Sequence, residues 1–416
     1  MSRARIVLLV LSLATPALSA CAQQSRGRRV EHDLVYAGVG PVLDWYDVNA
    51  TEATLARRGA VTLPANVQYA WPDPSRRFLY VAWSDGGPGV MGSRHGVTAF
   101  AIDGRSGALT RNGADAPLRS RPIHLSVQGT HLLVAHNEPS GVTVLALGFS
   151  GALGQEVVQP TRVDAGVFAH QVIADPSGRM VFLVTRGVGP TASAAEKPDA
   201  IKELRFADGI LSNYRNVAPG GGFGFQARNL DFHPVRPWTY LVLERQNALQ
   251  MFEMTRDGTL SDVPRFSAST LELPMAASAS QVSGAVAMHP SGRFVYVANR
   301  ASGTRDRAGA PVFAGGENSI AVFAIDTATG EPTRIANAPT NGFSPRTLAL
   351  DGRGCLLIVG NQVPLAMVDG DSVRTVPASI ALFRVSEDGR LLFVRKYDVE
   401  TSRQATLQWV GIVGPP

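Results

Sequence analysis

Short apolar runs alternate with turns rich in Gly and Asp along the whole chain, and one unit recurs. Its clearest copies are HPSGRFVYVAN at 289–299, DPSGRMVFLV at 175–184 and DPSRRFLYVA at 73–82. Each copy opens with turn residues and runs into β-branched and aromatic residues, which is typical of a β-strand. Internal repeats with periods of tens of residues indicate a propeller, a solenoid or an array.

Seven segments correspond to the apolar strand of this unit. They lie at residues 34–38, 78–82, 131–135, 181–185, 239–243, 294–298 and 356–360. Alternating apolar and polar residues follow in several units, and a further β segment such as 346–350 precedes the apolar strand. Each unit therefore holds about four antiparallel strands, the size of a propeller blade. The sequence predicts an all-β fold, a seven-bladed β-propeller.

The end of the chain predicts how the ring closes. Residues 406–412 read as a strand with no repeat after it. We expect this strand to complete the blade opened near Leu34, which removes a free sheet edge. Four long inserts fall between the same two strands of the repeat, so we expect them to rim one face of the ring, where functional loops are common. They lie at residues 83–96, 186–202, 301–318 and 362–378.

The first twenty residues predict a secretory signal peptide. Arg3 and Arg5 give a positive start, residues 6–13 are apolar, and residues 17–20 are mostly small. These are the three parts of an export signal. The apolar run is too short for a transmembrane helix.

The end of this signal resembles a bacterial lipobox, LSAC at residues 18–21, in which Cys21 would be lipidated. Cleavage after Ala22 is the alternative, because the residues before it are also small. Two acyl chains on Cys21 would hold the protein at a membrane surface without crossing it. The predicted organisation is a signal peptide at 1–20, a tether at 21–32 and the propeller at 33–416.

Composition and charge narrow the function. The chain has 416 residues, of which 45% are hydrophobic and 18% are charged, with a formal net charge of +5. The basic residues are spread out and form no stripe interleaved with aromatic residues, so we expect no nucleic-acid partner.

Cys355 is the second of only two cysteines and lies in an apolar run. We expect it to be a buried small side chain, with no disulfide framework.

Three motifs resemble the seven-bladed lactonase propeller family, which includes the propeller-type 6-phosphogluconolactonases and the fungal carboxy-cis,cis-muconate cyclase. They are PSGR…YV…NR at 290–300, AR…FHP at 227–234 and SPR at 344–346. The resemblance covers nearly all of residues 33–416. It implies an active site on three consecutive blades, formed by His170, Arg228, Glu244 and Arg300.

The resemblance also implies roles for these residues. His170 is the expected general acid/base, and Glu244 a second base or the residue that orients the others. Arg228 and Arg300 are expected to anchor an anion and stabilise an oxyanion, with Arg346 as a further substrate-binding residue. Neighbouring residues depart from the family pattern. The chain has Ala-Arg-Asn at 227–229 for Pro-Arg-His, Leu-Glu-Arg at 243–245 for Asn-Glu-Leu, and Ala-His at 169–170 for Pro-His.

Other polar residues near the same face are weaker candidates: His124, His136 and Glu138. His136 and Glu138 are weak evidence for a metal site, because no cluster of residues with ligand spacing accompanies them. We expect neither a metal nor a cofactor.

The resulting hypothesis is an exported lactonase that opens a sugar-derived or carboxylated lactone, or a cyclase that forms one. The expected partner is a small-molecule lactone or anionic carbohydrate. The expected protein is a monomer, periplasmic or on the outer surface, touching a membrane only through Cys21. A signal peptide would separate it from cytosolic 6-phosphogluconolactone. The alternative is a non-catalytic binding platform at the cell surface, favoured if Arg228 and Glu244 formed a fully satisfied pair without an open pocket.

Overall fold

The structure is a computed structural model that describes residues 33–49, 52–273 and 280–414. These residues form seven antiparallel blades of four strands, one of which carries a short fifth strand, and the innermost strands of consecutive blades contact one another around a complete ring. The predicted all-β, seven-bladed propeller is therefore confirmed. The predicted signal peptide, Cys21 and the tether lie outside the described residues.

The blades follow one another along the chain. Blade 1 contains β1 (Leu34–Val39), β2 (Val42–Asn49) and β3 (Thr54–Thr62), and blade 2 contains β4 (Asn66–Pro72), β5 (Phe78–Ser84), β6 (His95–Ile102), β7 (Leu109–Arg111) and the short β8 (Ala116–Pro117). Blade 3 contains β9 (Pro122–Gln128), β10 (His131–Asn137), β11 (Ser140–Leu147) and β12 (Leu153–Glu156). Blade 4 contains β13 (Ala169–Ala174), β14 (Met180–Thr185), β15 (Ala200–Ala207) and β16 (Ile210–Val217).

The remaining blades repeat this order. Blade 5 contains β17 (Ala227–Phe232), β18 (Trp238–Leu243), β19 (Ala248–Glu253) and β20 (Phe266–Ser269). Blade 6 contains β21 (Gln281–Met288), β22 (Phe294–Ala301), β25 (Ser319–Ile325) and β26 (Pro332–Pro339), with the hairpin β23 (Thr304–Arg307) and β24 (Ala310–Phe313). Blade 7 contains β27 (Pro345–Leu350), β28 (Leu356–Asn361), β31 (Ser379–Val385) and β32 (Leu391–Asp398), with the hairpin β29 (Leu365–Asp369) and β30 (Ser372–Val376). A single 3-10 turn, Pro219–Gly222, is the one helical element in the part of the chain that the structure describes.

The last strand, β33 (Leu407–Val413), returns to blade 1 and becomes its innermost strand. It pairs with β1 in antiparallel register, from Leu34 opposite Val413 to Val39 opposite Leu407. The predicted closure by the C-terminal strand is confirmed. Closure covers the inner edge of β1 and gives blade 1 four strands.

Packing between blades explains the apolar runs of the repeat. Alternate residues of a strand point to opposite faces of its sheet. In β5, Leu79 and Val81 pack with blade 1, whereas Tyr80 and Ala82 pack with blade 3. Seven buried clusters join neighbouring blades in this way, one at each interface. Because both faces of these strands are buried, their sequences are almost continuously hydrophobic.

The recurring tyrosine of the repeat links neighbouring blades. The hydroxyl of Tyr296 donates a hydrogen bond of 2.9 Å to the carbonyl of Gly389, in a turn of the next blade. Three other fully buried tyrosines donate to equivalent glycine carbonyls: Tyr36 to Gly107, Tyr80 to Gly151 and Tyr240 to Gly330. A buried hydroxyl needs such a partner. The tyrosine is therefore a structural part of the repeat.

The long inserts all leave the propeller at one end. Each follows the second strand of its blade, and in an antiparallel sheet that strand ends where the innermost strand begins. The inserts of blades 6 and 7 each form a two-stranded hairpin, β23–β24 and β29–β30. We call this end of the ring the insert face.

Two local findings complete the fold. Cys355 is half-buried, so the prediction of a buried side chain was wrong: it lies just before β28, at the end of the blade opposite the insert face. Among the residues that the structure describes, no helix is long and apolar enough to span a membrane.

Candidate active site

Each innermost strand carries a β-bulge near its start, on the insert face. In blade 6 the bulge contains Gly284 and Ala285. In the other six blades it contains one residue: Gln68, Ile123, His170, Arg228, Arg346 and Gln408. A bulged residue has no partner of its own on the neighbouring strand, and its side chain is re-aimed. The common position places these side chains around one end of the central channel.

The three innermost strands with a charged or titratable bulge residue also share an unusual backbone. Two residues before the bulge, Phe168, Gln226 and Ser344 have φ values of 58°, 47° and 54°. Positive φ is uncommon for residues other than glycine, and such strained positions are frequent at functional sites. This conformation turns the chain into the strands that carry His170 and Arg228.

The carboxylate of Glu244, just after β18, lies among three arginines. Its Oε1 is 2.6 Å from Arg300 Nη2 and 3.3 Å from Arg228 Nε, and its Oε2 is 2.8 Å from Arg186 Nη1. Glu244, Arg228 and Arg300 are buried, while Arg186 remains one-third exposed. Three positive charges therefore surround one negative charge, which leaves this group two positive charges in excess.

Electrostatics fixes the charge of Glu244. Burial alone would raise its pKa, but Arg228, Arg300 and Arg186 outweigh burial and lower the pKa to about 2. Burial lowers the pKa of Arg228 well below its usual value, and the neighbouring charge of Arg300 adds to that effect. An ionised carboxylate held by three arginines is a poor proton acceptor. Two roles were predicted for Glu244, a second base or a residue that orients the others. The geometry favours the second of these roles.

Space for the Arg300 side chain depends on the bulge of blade 6. A Cβ atom at Gly284 would lie 3.0 Å from Arg300 Nε and 3.3 Å from its Cδ. Glycine at this position therefore lets the guanidinium reach Glu244.

His170 is buried and electrically neutral. Burial is the main cause of a pKa well below the usual 6.5, and the charges of Arg228, Arg186 and Arg346 lower it further. Its Nδ1 is enclosed and has no hydrogen-bond partner among the described residues. The neutral imidazole is unprotonated and so is available to accept a proton, and the positive charge around it makes it a weak base.

A cavity of about 500 Å³ occupies the central channel. His170, Arg228, Asn229 and Arg346 line it at the insert face. The volume is typical of a site for a small molecule. Glu244 and Arg300 lie behind Arg228 and are not part of the lining. Of the four residues that the resemblance implied, two therefore face the cavity and two hold Arg228 from behind.

Arg346 adds a further positive charge to the cavity. When the Gln408 amide is oriented with its oxygen towards Arg346, that oxygen accepts hydrogen bonds from Arg346 Nε at 3.1 Å and Nη2 at 2.9 Å. Burial, followed by the charges of Arg300 and Arg121, lowers the pKa of Arg346 to about 9. Arg346 is still charged at neutral pH. Together with the group around Glu244, it makes this end of the channel a site for an anion.

The weaker candidates separate clearly. His124 lies beside the channel, and burial lowers its pKa to about 3. His136 is used structurally, because its Nδ1 lies 3.1 Å from the Ser120 carbonyl and its Nε2 3.0 Å from Thr143 Oγ1. Glu138 is exposed. Within the described ranges, no group of three or more His, Cys, Asp or Glu residues is placed to hold a metal ion.

Arg186 was missed by sequence reasoning, although the repeat contains the signal. It directly follows β14, as Glu244 directly follows β18, and Arg300 lies near the end of β22. The second strands of three consecutive blades thus deliver charged residues to the same place. Comparing that one position across the repeats would have found Arg186.

Comparison with known proteins decides the family. The chain matches the family model described as lactonase, 7-bladed beta-propeller, over residues 37–364. The chain belongs to this lactonase family. It is 24% identical over 329 residues to a 6-phosphogluconolactonase of Bacillus subtilis, covering 76% of this chain and 83% of the relative. It is 26% identical over 330 residues to a 6-phosphogluconolactonase of an Enterobacter species, covering 75% of this chain and 82% of the relative.

A solved structure shows the same fold. The periplasmic gluconolactonase of Pseudomonas aeruginosa is 19% identical, with a TM-score of 0.66, and the match covers 92% of this chain and 99% of that one. At this identity the likeness concerns the fold alone.

The departures from the family pattern leave the charged groups in place. The side-chain oxygen of Asn229 accepts a hydrogen bond of 2.8 Å from Arg228 Nη1, so it holds the guanidinium where other members have His. Leu243 and Ala169 are buried in the packing between blades. In this member of the lactonase family, the altered neighbours support the site.

Proposed function

We propose that this protein is an exported hydrolase that opens a lactone carrying, or producing, a negative charge. One observation carries the proposal: a neutral His170 lies at a cavity that the positively charged Arg228 and Arg346 also line. Hydrolysis of a lactone needs a proton acceptor for water and a positive group for the developing oxyanion. The chain's membership of the lactonase family supports lactone chemistry.

The reaction follows from the charges. His170 accepts a proton from water as the oxygen of that water attacks the lactone carbonyl carbon. The carbonyl oxygen becomes an oxyanion, which Arg228 and Arg346 stabilise. The ring C–O bond then breaks, and the protonated His170 donates its proton to the departing alkoxide. The product is a hydroxy acid, which ionises and releases one proton to solvent.

Glu244 and Arg300 act through Arg228 in this scheme. They fix the guanidinium of Arg228 and leave the site with excess positive charge. Arg186, at the start of the insert and one-third exposed, shares the carboxylate of Glu244 with the other two arginines. These arginines accelerate the reaction because negative charge develops on the carbonyl oxygen in the transition state.

The binding-platform alternative is less well supported. It would be favoured by a closed and fully satisfied Arg228–Glu244 pair. Instead, Arg228 lines an open cavity, and its charge is shared with two other arginines around one carboxylate.

Export and a lipid anchor at Cys21 are part of the proposal. The predicted signal peptide supports a lactone outside the cytoplasm. The mass of the N-terminal peptide of the mature protein tests the anchor. A diacylated Cys21 supports it, and a peptide that starts elsewhere or carries an unmodified Cys21 refutes it.

Hydrolysis of a lactone panel tests the activity. The panel contains aldonolactones, uronic-acid lactones and carboxymuconolactones, followed with a pH indicator because each turnover releases a proton. The form used begins after Cys21, and His170→Ala and Arg228→Ala are measured in parallel. Arg236→Ala, in the turn before β18 at the other end of blade 5, is the matched control. Turnover that only the first two variants lose supports the proposal. No turnover by folded protein, or turnover that both variants keep, contradicts it.

A further inference from the structure

Three aromatic side chains line the channel on the side opposite Arg228. Tyr69 and Trp71 lie on β4 of blade 2, and Trp409 lies on β33 of blade 1. The ring centroid of Tyr69 is 6.5 Å from the ring centroid of Trp71 and 6.3 Å from that of Trp409. His124 of blade 3 lies beside them, 4.3 Å from Tyr69 and 5.6 Å from Trp71. We call Tyr69, Trp71 and Trp409 the aromatic wall.

The aromatic wall differs from the other large aromatic residues of the fold. The four recurring tyrosines donate to glycine carbonyls, and Trp83 Nε1 donates to Thr98 Oγ1 at 3.0 Å. In the part of the chain that the structure describes, neither Tyr69 Oη nor Trp71 Nε1 has a hydrogen-bond partner. Both side chains are only half-buried and line the cavity. Their polar atoms are therefore available to a molecule in the channel.

His124 holds the aromatic wall from behind. It is 1% exposed, and neither ring nitrogen meets hydrogen-bond geometry with any described residue. The nearby Val172 carbonyl instead accepts from the Ser126 hydroxyl at 2.9 Å. Burial keeps His124 neutral, with a pKa of about 3. It therefore acts as an uncharged ring that packs against Tyr69 and Trp71.

Opposite sides of one cavity thus have different chemistry. Arg228 and Tyr69 line the same cavity, and the charge of Arg228 acts on the phenol of Tyr69. Aromatic faces bind the C–H faces of rings, and free O–H and N–H groups bind hydroxyls. A ring stacked on the aromatic wall would present its ester carbonyl to Arg228 and His170.

We propose that the aromatic wall is the binding surface for the ring of the substrate, and that Tyr69 recognises a ring hydroxyl. This inference rests on the proposed lactonase activity and deepens it, because it assigns Tyr69, Trp71 and Trp409 to ring binding. It favours a polyhydroxylated lactone over an unsubstituted one.

Binding of two lactams tests this assignment without any hydrolysis. Glucono-δ-lactam keeps the ring and hydroxyls of a sugar lactone, whereas δ-valerolactam is the same ring without hydroxyls. Tryptophan fluorescence or calorimetry measures both dissociation constants. For Tyr69→Phe, affinity for the hydroxylated lactam should fall about 5-fold, the size of one net hydrogen bond, while affinity for the plain lactam stays unchanged. For Tyr69→Ala, affinity for both should fall about 10-fold or more because stacking is lost.

A matched control separates binding from stability. Tyr214→Phe and Tyr214→Ala change an exposed tyrosine on β16, outside the channel, and should leave both constants unchanged. Equal effects of Tyr69→Phe on both lactams, or no effect of Tyr69→Ala on either, overturn the assignment. Lactone turnover by a protein that binds neither lactam overturns this inference but spares the lactonase. Lactam binding that depends on Tyr69, without turnover of any lactone, supports the aromatic wall and refutes the activity.

Discussion

At the scale of single residues, the site is defined by unequal charge. Glu244 neutralises one of the three arginine charges that touch it, and the others are held in a buried position by the surrounding strands. Removing one member of a buried charge group costs far more than an exposed pair contributes. The carboxylate is therefore expected to matter for stability first and for catalysis through Arg228.

Glu244→Gln should lower the free energy of unfolding by about 3 kcal/mol at pH 7, because it leaves buried arginines without a counter-charge. The pKa of Glu244 falls from 4.5 in the unfolded chain to about 2 in the folded one. Its stabilisation is thus complete above the unfolded value and is lost as pH falls towards 2. Urea unfolding between pH 3 and 8 should show the difference between variant and wild type shrinking below pH 4.5.

The control for this prediction is Glu253→Gln, whose partner Arg265 is about half exposed. That change should cost less than about 1 kcal/mol at any pH. Equal losses for the two variants, or a loss at Glu244 that does not depend on pH, would contradict the account of the charge group.

The acid–base role of His170 predicts an unusual pH profile. Because its pKa lies well below 6.5, the neutral form predominates throughout the neutral range. The value of kcat/KM should therefore stay level from pH 8 to pH 6 and fall only at lower pH. His170→Asn should reduce kcat by roughly 100-fold or more. His131→Gln, at the far end of blade 3, is the control. A decline centred near pH 6.5, or full activity of His170→Asn, would exclude this residue as the base.

At the scale of elements, the inserts are tied to the strands that carry the site. Asp199, in the insert of blade 4, accepts a hydrogen bond of 2.6 Å from the backbone N–H of Ala227, the residue before Arg228. Its other oxygen is enclosed without a partner among the described residues, and burial raises its pKa to about 7. The insert therefore positions β17 at an electrostatic cost.

Asp199→Asn should increase stability at high pH, because asparagine keeps the acceptor and removes the buried charge. The unfolded chain loses this proton near pH 3.8 and the folded chain near 7. The wild type should thus become progressively less stable than the variant between these values, and the gap should level off above pH 7 at about 4 kcal/mol. Thermal unfolding of both proteins at pH 5 and pH 8 measures this difference in stability. A variant less stable than wild type at pH 8 would show that the negative charge is needed.

The sequence was informative about elements but not about their bulges. Apolar runs, turns and the unpartnered strand at 406–412 predicted the blades, the inserts and the closure, because each depends on local chemistry. The bulges at His170, Arg228 and Arg346 depend on the register with a neighbouring strand, which no local signal encodes. The aromatic wall was missed for the same reason, since Tyr69 and Trp71 read as ordinary strand residues.

At the scale of the whole molecule, ring closure both stabilises the fold and completes the channel. The strand β33 covers the inner edge of β1 and also brings Trp409 and Gln408 to the cavity. Deleting residues 404–416 should therefore abolish the cooperative thermal transition and promote aggregation, because two blades lose their contact. Deleting only residues 414–416 is the control. A cooperative, monomeric product of the longer deletion would contradict the structural role of β33.

The most direct test of the central claim is the hydrolysis of D-glucono-δ-lactone by wild type, Arg228→Ala and Arg236→Ala at pH 7, after subtraction of the spontaneous rate. The claim is that the positively charged channel around Arg228 stabilises the oxyanion of an opening lactone. We predict that kcat/KM falls by roughly 100-fold to 1,000-fold for Arg228→Ala, as expected for the loss of an oxyanion donor, and stays unchanged for Arg236→Ala. Equal rates for all three folded proteins, or no rate above the spontaneous one, would contradict it.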